Sequence, residues 1–309
     1  MADDAINIHA RGSIVLAQPA PNQLRVNEGG TVRHRVGDRL QLYDPEAGRI
    51  RTDSLVLTGV VRDRTGTLLT LNEAVETVVT GSTAQESDHL FDLDACGAGA
   101  IIRNNTFGYH RGRSVLLKTT DCVVEANTFG NREGWGISMQ QLQGWSEGPA
   151  AQRVTIRGNT FEGSPQAGWS PSIFIQPTNR SGAPAEGRPV RDIRIEDNVF
   201  INPPNGVLSA WSVNGLHFVN NRVQAGAGTR VASGPLVSIN TGTGVLVQGL
   251  KVSDTSGQTT AVVEAQATVA LGPQGLTVED VEITGGPFPV LIDHRMHTVP
   301  NVAPLESSP

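Results

Sequence analysis

Short runs of alternating apolar and polar residues recur along the chain, each closed by a related ending. Ile-Ile-Arg-Asn-Asn-Thr-Phe ends at Phe107, Val-Val-Glu-Ala-Asn-Thr-Phe at Phe129 and Thr-Ile-Arg-Gly-Asn-Thr-Phe at Phe161. Arg-Ile-Glu-Asp-Asn-Val-Phe follows at Phe200 and His-Phe-Val-Asn-Asn-Arg-Val at Val223, with weaker copies near Val252 and Ile283. Alternation of this kind makes a β-strand whose inward side chains meet their equivalents in the next copy. The asparagines at 105, 127, 159, 198 and 221 tolerate the left-handed backbone of a sharp turn and, stacked copy on copy, can form a hydrogen-bonded ladder. The Phe or Val that follows returns to the core. Repetition of one phrase at coil-length spacing predicts a right-handed parallel β-helix, a solenoid of stacked coils.

A second set of strands precedes the phrases, at 114–119, 136–141, 172–177, 206–211, 236–240 and 261–265, and residues 3–10 have the same character. Residues 19–90 break the rhythm. They read as short antiparallel strands joined by polar hairpins, a small β-barrel or sandwich inserted between two coils. The expected organisation is all-β: a first coil over 1–18, the insertion over 19–90, the main solenoid over 91–295 and a tail over 296–309.

Composition fits this reading. The 309 residues include 35 glycines and 18 prolines, with 38% hydrophobic but only 5% aromatic residues, a mixture suited to many short strands and turns. The net charge of −6 and the lack of any basic run argue against nucleic acid as a partner. No stretch is apolar enough to span a membrane. Cys96 and Cys122 fall at different places in the repeat, which favours two small buried apolar residues over a disulfide. No Cys/His cluster has zinc spacing, and no metal or cofactor is expected.

Aligning the second strand set coil to coil gives stacked columns. Ile6 and Ile8 match Val115 and Leu117, then Ile137 and Met139, then Ile173 and Ile175, as interior positions. The alternate residues point outward: His9, Lys118, Gln140 and Gln176 in one column; Asn7, Leu116, Ser138 and Phe174 in another. At the strand entrance Asp4 aligns with Arg113, Trp135 and Pro171. With neighbouring coils about 4.8 Å apart, the outward columns make a polar groove several sugar units long. Asp3 and Asp4 stand at its mouth. Adjacent residues of a regular strand face opposite ways, but at a strand entrance both carboxylates can reach one groove. Such a pair suits glycoside hydrolysis, one acid protonating the leaving oxygen and the other activating water; a solvated turn before a strand is the plain alternative. Arg113 can neutralise Asp4 on the next coil. His9 can polarise a substrate or simply sit at the surface. The Gln-Gly-Trp-Ser-Glu-Gly-Pro loop offers Trp145 for stacking on sugar C–H groups and Glu147 for accepting sugar hydroxyls, or Trp145 covers the insertion.

Asp3-Asp4-Ala-Ile-Asn-Ile-His9, a small β insertion, Arg111-Gly-Arg-Ser-Val-Leu-Leu, Val124-Glu-Ala-Asn-Thr-Phe and Trp145-Ser-Glu-Gly-Pro follow in that order. In this, from residue 3 to about 223, the chain resembles the bacterial β-helix proteins around glycoside hydrolase family 110. The resemblance implies an exo-acting, inverting, metal-independent α-1,3-galactosidase with antiparallel barrel insertions, found outside the cell or at its surface. It places Asp3 and Asp4 at the catalytic carboxylates and Arg113, Trp145 and Glu147 in the sugar pocket. The Asp-Asp step also resembles the acidic pair of polygalacturonases, whose other motifs are not evident. One departure is that the family has several coils ahead of the Asp-Asp step, and these contribute to the active site. The expectation is therefore that upstream coils of the same protein complete the site, and that Ile6, Ile8, Ile14 and Val15 without such coils make the chain self-associate. A non-catalytic glycan-binding solenoid, as in adhesins and phage tailspikes, is the competing function; an inactive truncation is a third.

Overall fold

The computed structural model describes residues 3–27, 34–109, 111–130, 133–142, 146–163, 170–228, 233–266 and 269–293, with the side chain of Ser54 outside that set. The described elements are all strands. They form three parallel sheets stacked coil on coil, plus a closed antiparallel barrel. The nine-stranded sheet contains Ile6–Arg11, Val115–Lys118, Ile137–Gln141, Ile173–Pro177, Leu208–Ala210, Val237–Ile239, Val263–Ala265 and Leu291–Asp293, with the short strand Glu147–Gly148 added antiparallel to Ile6–Arg11. Two seven-stranded sheets carry the recurring phrases, one holding the strand before the turn and the other the Thr-Phe segment after it.

The register matches the columns read from the sequence. Ile6 pairs with Val115 and Ile8 with Leu117; Val115 pairs with Ile137, and Ile137 with Ile173. These inward residues from Val115 onward are fully buried or nearly so. Phe107, Phe129, Phe161 and Phe200 stack with ring centroids 4.8, 4.7 and 4.9 Å apart, one ring per coil. This spacing is the strand-to-strand distance of a parallel sheet, so a single ring per turn fills the corner of the core without a gap.

The asparagine ladder is present. Nδ2 of Asn105, Asn127, Asn159 and Asn198 donates to Oδ1 of the asparagine one coil on, at 2.9–3.0 Å. The left-handed backbone is not at these asparagines, however. It falls one residue earlier, at Asn104, Ala126, Gly158, Asp197 and Asn220. The ladder explains the shift. Each ladder asparagine from 105 to 198 also donates its own backbone N–H to the next Oδ1. Its amide must therefore point along the stack, and the residue before it turns the chain.

The barrel is closed by six strands in the order Ser13–Ala20, Gln23–Asn27, Gly66–Leu71, Arg49–Asp63, Arg39–Asp44 and His89–Asp92. It is larger than the expected 19–90. The chain leaves the solenoid at Gly12, where a Cβ would lie 2.6 Å from Phe91 Cε1 and 2.7 Å from Ser146 Oγ. No side chain fits that exit, so the barrel begins at once. Ile14 and Val15 consequently belong to the barrel, not to the solenoid edge, and Val15 is fully buried in a separate core with Leu24, Leu40, Leu42, Leu55, Leu57 and Leu69. Ile6 and Ile8 remain half-buried at the edge coil. Cys96 and Cys122 are free and buried. The tail expected over 296–309 lies outside the described residues.

Candidate active site

The candidate site is built where the first strand of the nine-stranded sheet begins. Ala5 and Ile6 donate their amides to the carbonyls of Arg113 and Ser114, which sets Asp4 opposite Arg113; Ser114 donates to Trp135 in the same way. Asp3 sits above Gly112, and Gly112 above Gly134. A Cβ on Gly112 would lie 2.5 Å from the carbonyl carbon of Asp3. Only glycine lets the two backbones come this close, and the contact fixes the height of Asp3 on the solenoid.

Asp4 and Arg113 lie just before their strands, where the alternation of faces is not yet established. Their side chains reach the outer columns. Arg113 grips Asp4 bidentately, Nε to Oδ1 at 2.5 Å and Nη2 to Oδ2 at 2.9 Å, and donates from Nη1 to Gln140 at 3.0 Å. Gln140 in turn donates to Gln176 at 3.3 Å. The Asp4 side chain is 5% exposed. Asp3 is exposed, and its Oδ1 accepts the amide of Asp4 at 2.8 Å. The fork-to-fork pairing orients the Asp4 carboxylate and supplies its counter-charge.

From Asp4 a polar network runs on through Asn7, His9, Glu147 and Lys118. Asn7 Nδ2 donates to Asp4 Oδ2 at 3.4 Å, and Asn7 Oδ1 lies 2.8 Å from His9 Nδ1. Because the carboxylate can only accept, Asn7 shows it the amide nitrogen and turns its oxygen to the imidazole, so His9 carries a proton on Nδ1. His9 Nε2 is then directed at Glu147 Oε1, 3.7 Å away, and Lys118 Nζ bonds Glu147 Oε2 at 2.9 Å. Burial pushes the Glu147 carboxyl up, but the Lys118 hydrogen bond and the charges of Lys118, His9 and Arg113 outweigh it and hold it below the usual carboxylate range. Burial pulls the Lys118 ammonium down, against the opposing pull of Glu147.

The structure thus brings Asp3, Asp4, Asn7, His9, Arg113, Lys118, Gln140 and Glu147 into one connected cluster. Lys118 and Gln140 differ from the expected open column. Both are buried, and each is occupied by a charged partner already named. They stand behind Glu147 and Arg113 because the Glu147–Gly148 strand folds over this end of the sheet: it pairs with Ala10–Arg11, and Gln141 Nε2 holds the Glu147 carbonyl at 2.8 Å. The same loop meets the barrel, since Phe91 packs against Gly148. Trp145 lies outside the described residues.

One feature of the site was not singled out in the sequence. Trp135 and Phe174, both half-buried, stack with centroids 5.1 Å apart and planes 6° from parallel. Trp135 belongs to the Asp4–Arg113 row and Phe174 to the Asn7–Leu116–Ser138 row, so the two appear in different columns of the alignment. A search for aromatics on neighbouring coils, not within one column, finds them. They present a flat, partly exposed apolar surface. Ser138, fully buried between Leu116 and Phe174 in that row, has no hydrogen-bond partner for its hydroxyl. The described residues contain one closely spaced set of three metal-ligating side chains, and it lies in the barrel rather than in the candidate site.

Three stacked parallel sheets joined by an asparagine ladder define a right-handed parallel β-helix. A family model described as "Right handed beta helix region" matches residues 71–223. Among curated proteins the chain is similar to alpha-1,3-galactosidases. It is 30% identical over 248 residues to alpha-1,3-galactosidase A of Peterkaempfera griseoplana, covering 72% of this chain and 32% of that protein. It is 26% identical over 233 residues to alpha-1,3-galactosidase B of Akkermansia muciniphila, covering 72% and 29%. Over 133 residues it is 36% identical to alpha-1,3-galactosidase A of Bacteroides fragilis, covering 41% and 22%. The chain therefore spans about a third or less of the length of these relatives.

Proposed function

We propose that this solenoid is the site-bearing part of an exo-acting glycoside hydrolase that removes a terminal α-linked galactose, or a closely related sugar, with inversion. The observation that carries the reading is the Asp3–Asp4 pair at the head of a polar network, with Asp4 gripped by Arg113, in a chain similar to alpha-1,3-galactosidases. In this reading Asp4, oriented and charge-balanced by Arg113, is the carboxylate that draws the proton from the attacking water. Asp3, more exposed, gives its proton to the leaving oxygen. Asn7, His9 and Glu147 receive sugar hydroxyls, and Trp135 with Phe174, together with Trp145, provides stacking surface. Action on extracellular or cell-surface glycans goes with such a substrate.

The test is turnover of a panel of terminal galactosides by the protein and its variants. Asp3→Asn and Asp4→Asn each lower kcat by about 10²–10⁴-fold, the usual contribution of a general acid or base, with little change in sugar affinity. Parent-like rates in both variants would remove the catalytic assignment. Sugar binding weakened by Trp135→Ala, with no turnover in any form, would instead identify a glycan-binding solenoid.

A further inference from the structure

We propose that His34, Asp38 and Asp92 form a structural site for one divalent first-row transition-metal ion at the junction of barrel and solenoid. One ligand atom from each residue lies within 4.8 Å of the other two. Ligands bound at about 2.0–2.2 Å stand roughly 3–3.5 Å from one another, so closure asks for movements of about half an ångström to one ångström.

Each side chain is held from behind in the manner of a metal ligand. His34 Nε2 is 2.9 Å from Ser13 Oγ, which orients the ring and makes Nδ1 the nitrogen suited to an ion. Asp38 Oδ2 accepts the Arg35 amide at 2.6 Å. Asp92 Oδ1 accepts the amides of Asp94 and Ala95 at 2.9 and 3.1 Å. One oxygen of each carboxylate then remains for the centre of the cluster. His34 and Asp92 are buried.

The carboxylates of Asp38 and Asp92 face one another here beside the buried imidazole of His34. Arg39, next in the chain, donates to Asp94 from Nε and Nη2 at 2.9 and 2.6 Å. Arg62 Nη2 donates to the His34 carbonyl at 2.8 Å. One imidazole nitrogen with two carboxylate oxygens suits zinc or manganese better than calcium or magnesium, which take oxygen ligands alone.

The three residues come from the turn before Arg39–Asp44 and from the end of His89–Asp92, the last barrel strand, while Ser13 opens the first. An ion here ties the exit and return of the barrel together, directly beyond Gly12 and the Ile6–Arg11 strand that follows Asp3–Asp4. The inference does not depend on the carbohydrate reading.

The experiment strips the chain with EDTA, then titrates it with Zn²⁺ and with Mn²⁺ by calorimetry while metal content and melting temperature are measured. One ion per chain is expected, with a raised melting temperature. Asp38→Asn and His34→Gln are expected to weaken binding at least tenfold, and Ser13→Ala to weaken it less. Should the variants fail to fold, cobalt(II) added to the parent chain must give a paramagnetically shifted imidazole proton. No stoichiometric uptake of Zn²⁺ or Mn²⁺, uptake of Ca²⁺ alone, ion retention at parent affinity in Asp38→Asn and His34→Gln, or no shifted imidazole signal would each overturn the proposal.

Discussion

Asn159 shows how much one residue carries in a solenoid. It is fully buried. It accepts from the amide and Nδ2 of Asn127, and donates to Val124 O and Asn198 Oδ1. Truncation leaves several buried polar groups without partners, at about 1–3 kcal/mol each. Asn159→Ala should therefore lower unfolding stability by roughly 3 kcal/mol or more, read from the denaturant midpoint, whereas Asn105→Ala, at the exposed end of the ladder, should cost under about 1 kcal/mol. A similar loss in both would mean that the ladder carries no weight. The ladder could be read in the sequence because its asparagines recur in phase. The residue that turns could not: Asn104 and Asn105 are the same type, and Ala126 gives no sign of its positive φ. Gly112 is a second single-residue device. Its Cβ would strike Asp3, so Gly112→Ala should displace that carboxylate and lower kcat at least tenfold while KM changes little. An unaltered kcat would show that the height of Asp3 is unimportant.

Among the elements, the barrel holds a buried carboxyl whose titration is coupled to stability, Asp88. Asp88 is fully buried between the barrel strands, where Arg51 Nε reaches its Oδ2 at 2.8 Å and its neighbour Asp44 shares the same arginine. Burial pushes its carboxyl up to about 6. A carboxyl whose folded pKa exceeds the ordinary value near 4 binds its proton more tightly in the fold. Its contribution is thus complete below about pH 4 and is lost as pH rises through about 6. Asp88→Asn should flatten this part of the melting profile; an unchanged slope would assign it to another group. The barrel strands themselves were visible as alternating runs, Leu40 with Leu42 and Leu55 with Leu57. Their limits were not, because Gly12 marks the exit only through contacts with Phe91 and Ser146, which no local pattern records. The Trp135–Phe174 pair was hidden for the same reason: its members are 39 residues apart and meet across two coils. Trp135→Ala should raise KM several-fold with kcat little changed, because it removes surface used before the transition state.

For the whole molecule, the solenoid turns sequence repetition into a sheet face whose residues are placed by register. Asp4 faces Arg113, and His9 faces Lys118, because the inward columns lock each coil against the next. A one-residue slip would turn the apolar columns outward, so that face is as firmly set as the core. That is why the Asp4–Arg113 contact could be anticipated from alignment alone, while the folding of Glu147–Gly148 over Lys118, which depends on a loop, could not. Inverting hydrolysis at the Asp3–Asp4 cluster would be visible by real-time proton NMR of a terminal α-galactoside incubated with the protein. The β-anomer of free galactose should appear first, with mutarotation to the α-anomer following, and Asp4→Asn should release neither at a comparable rate. First appearance of the α-anomer, or equal release by Asp4→Asn, would contradict it.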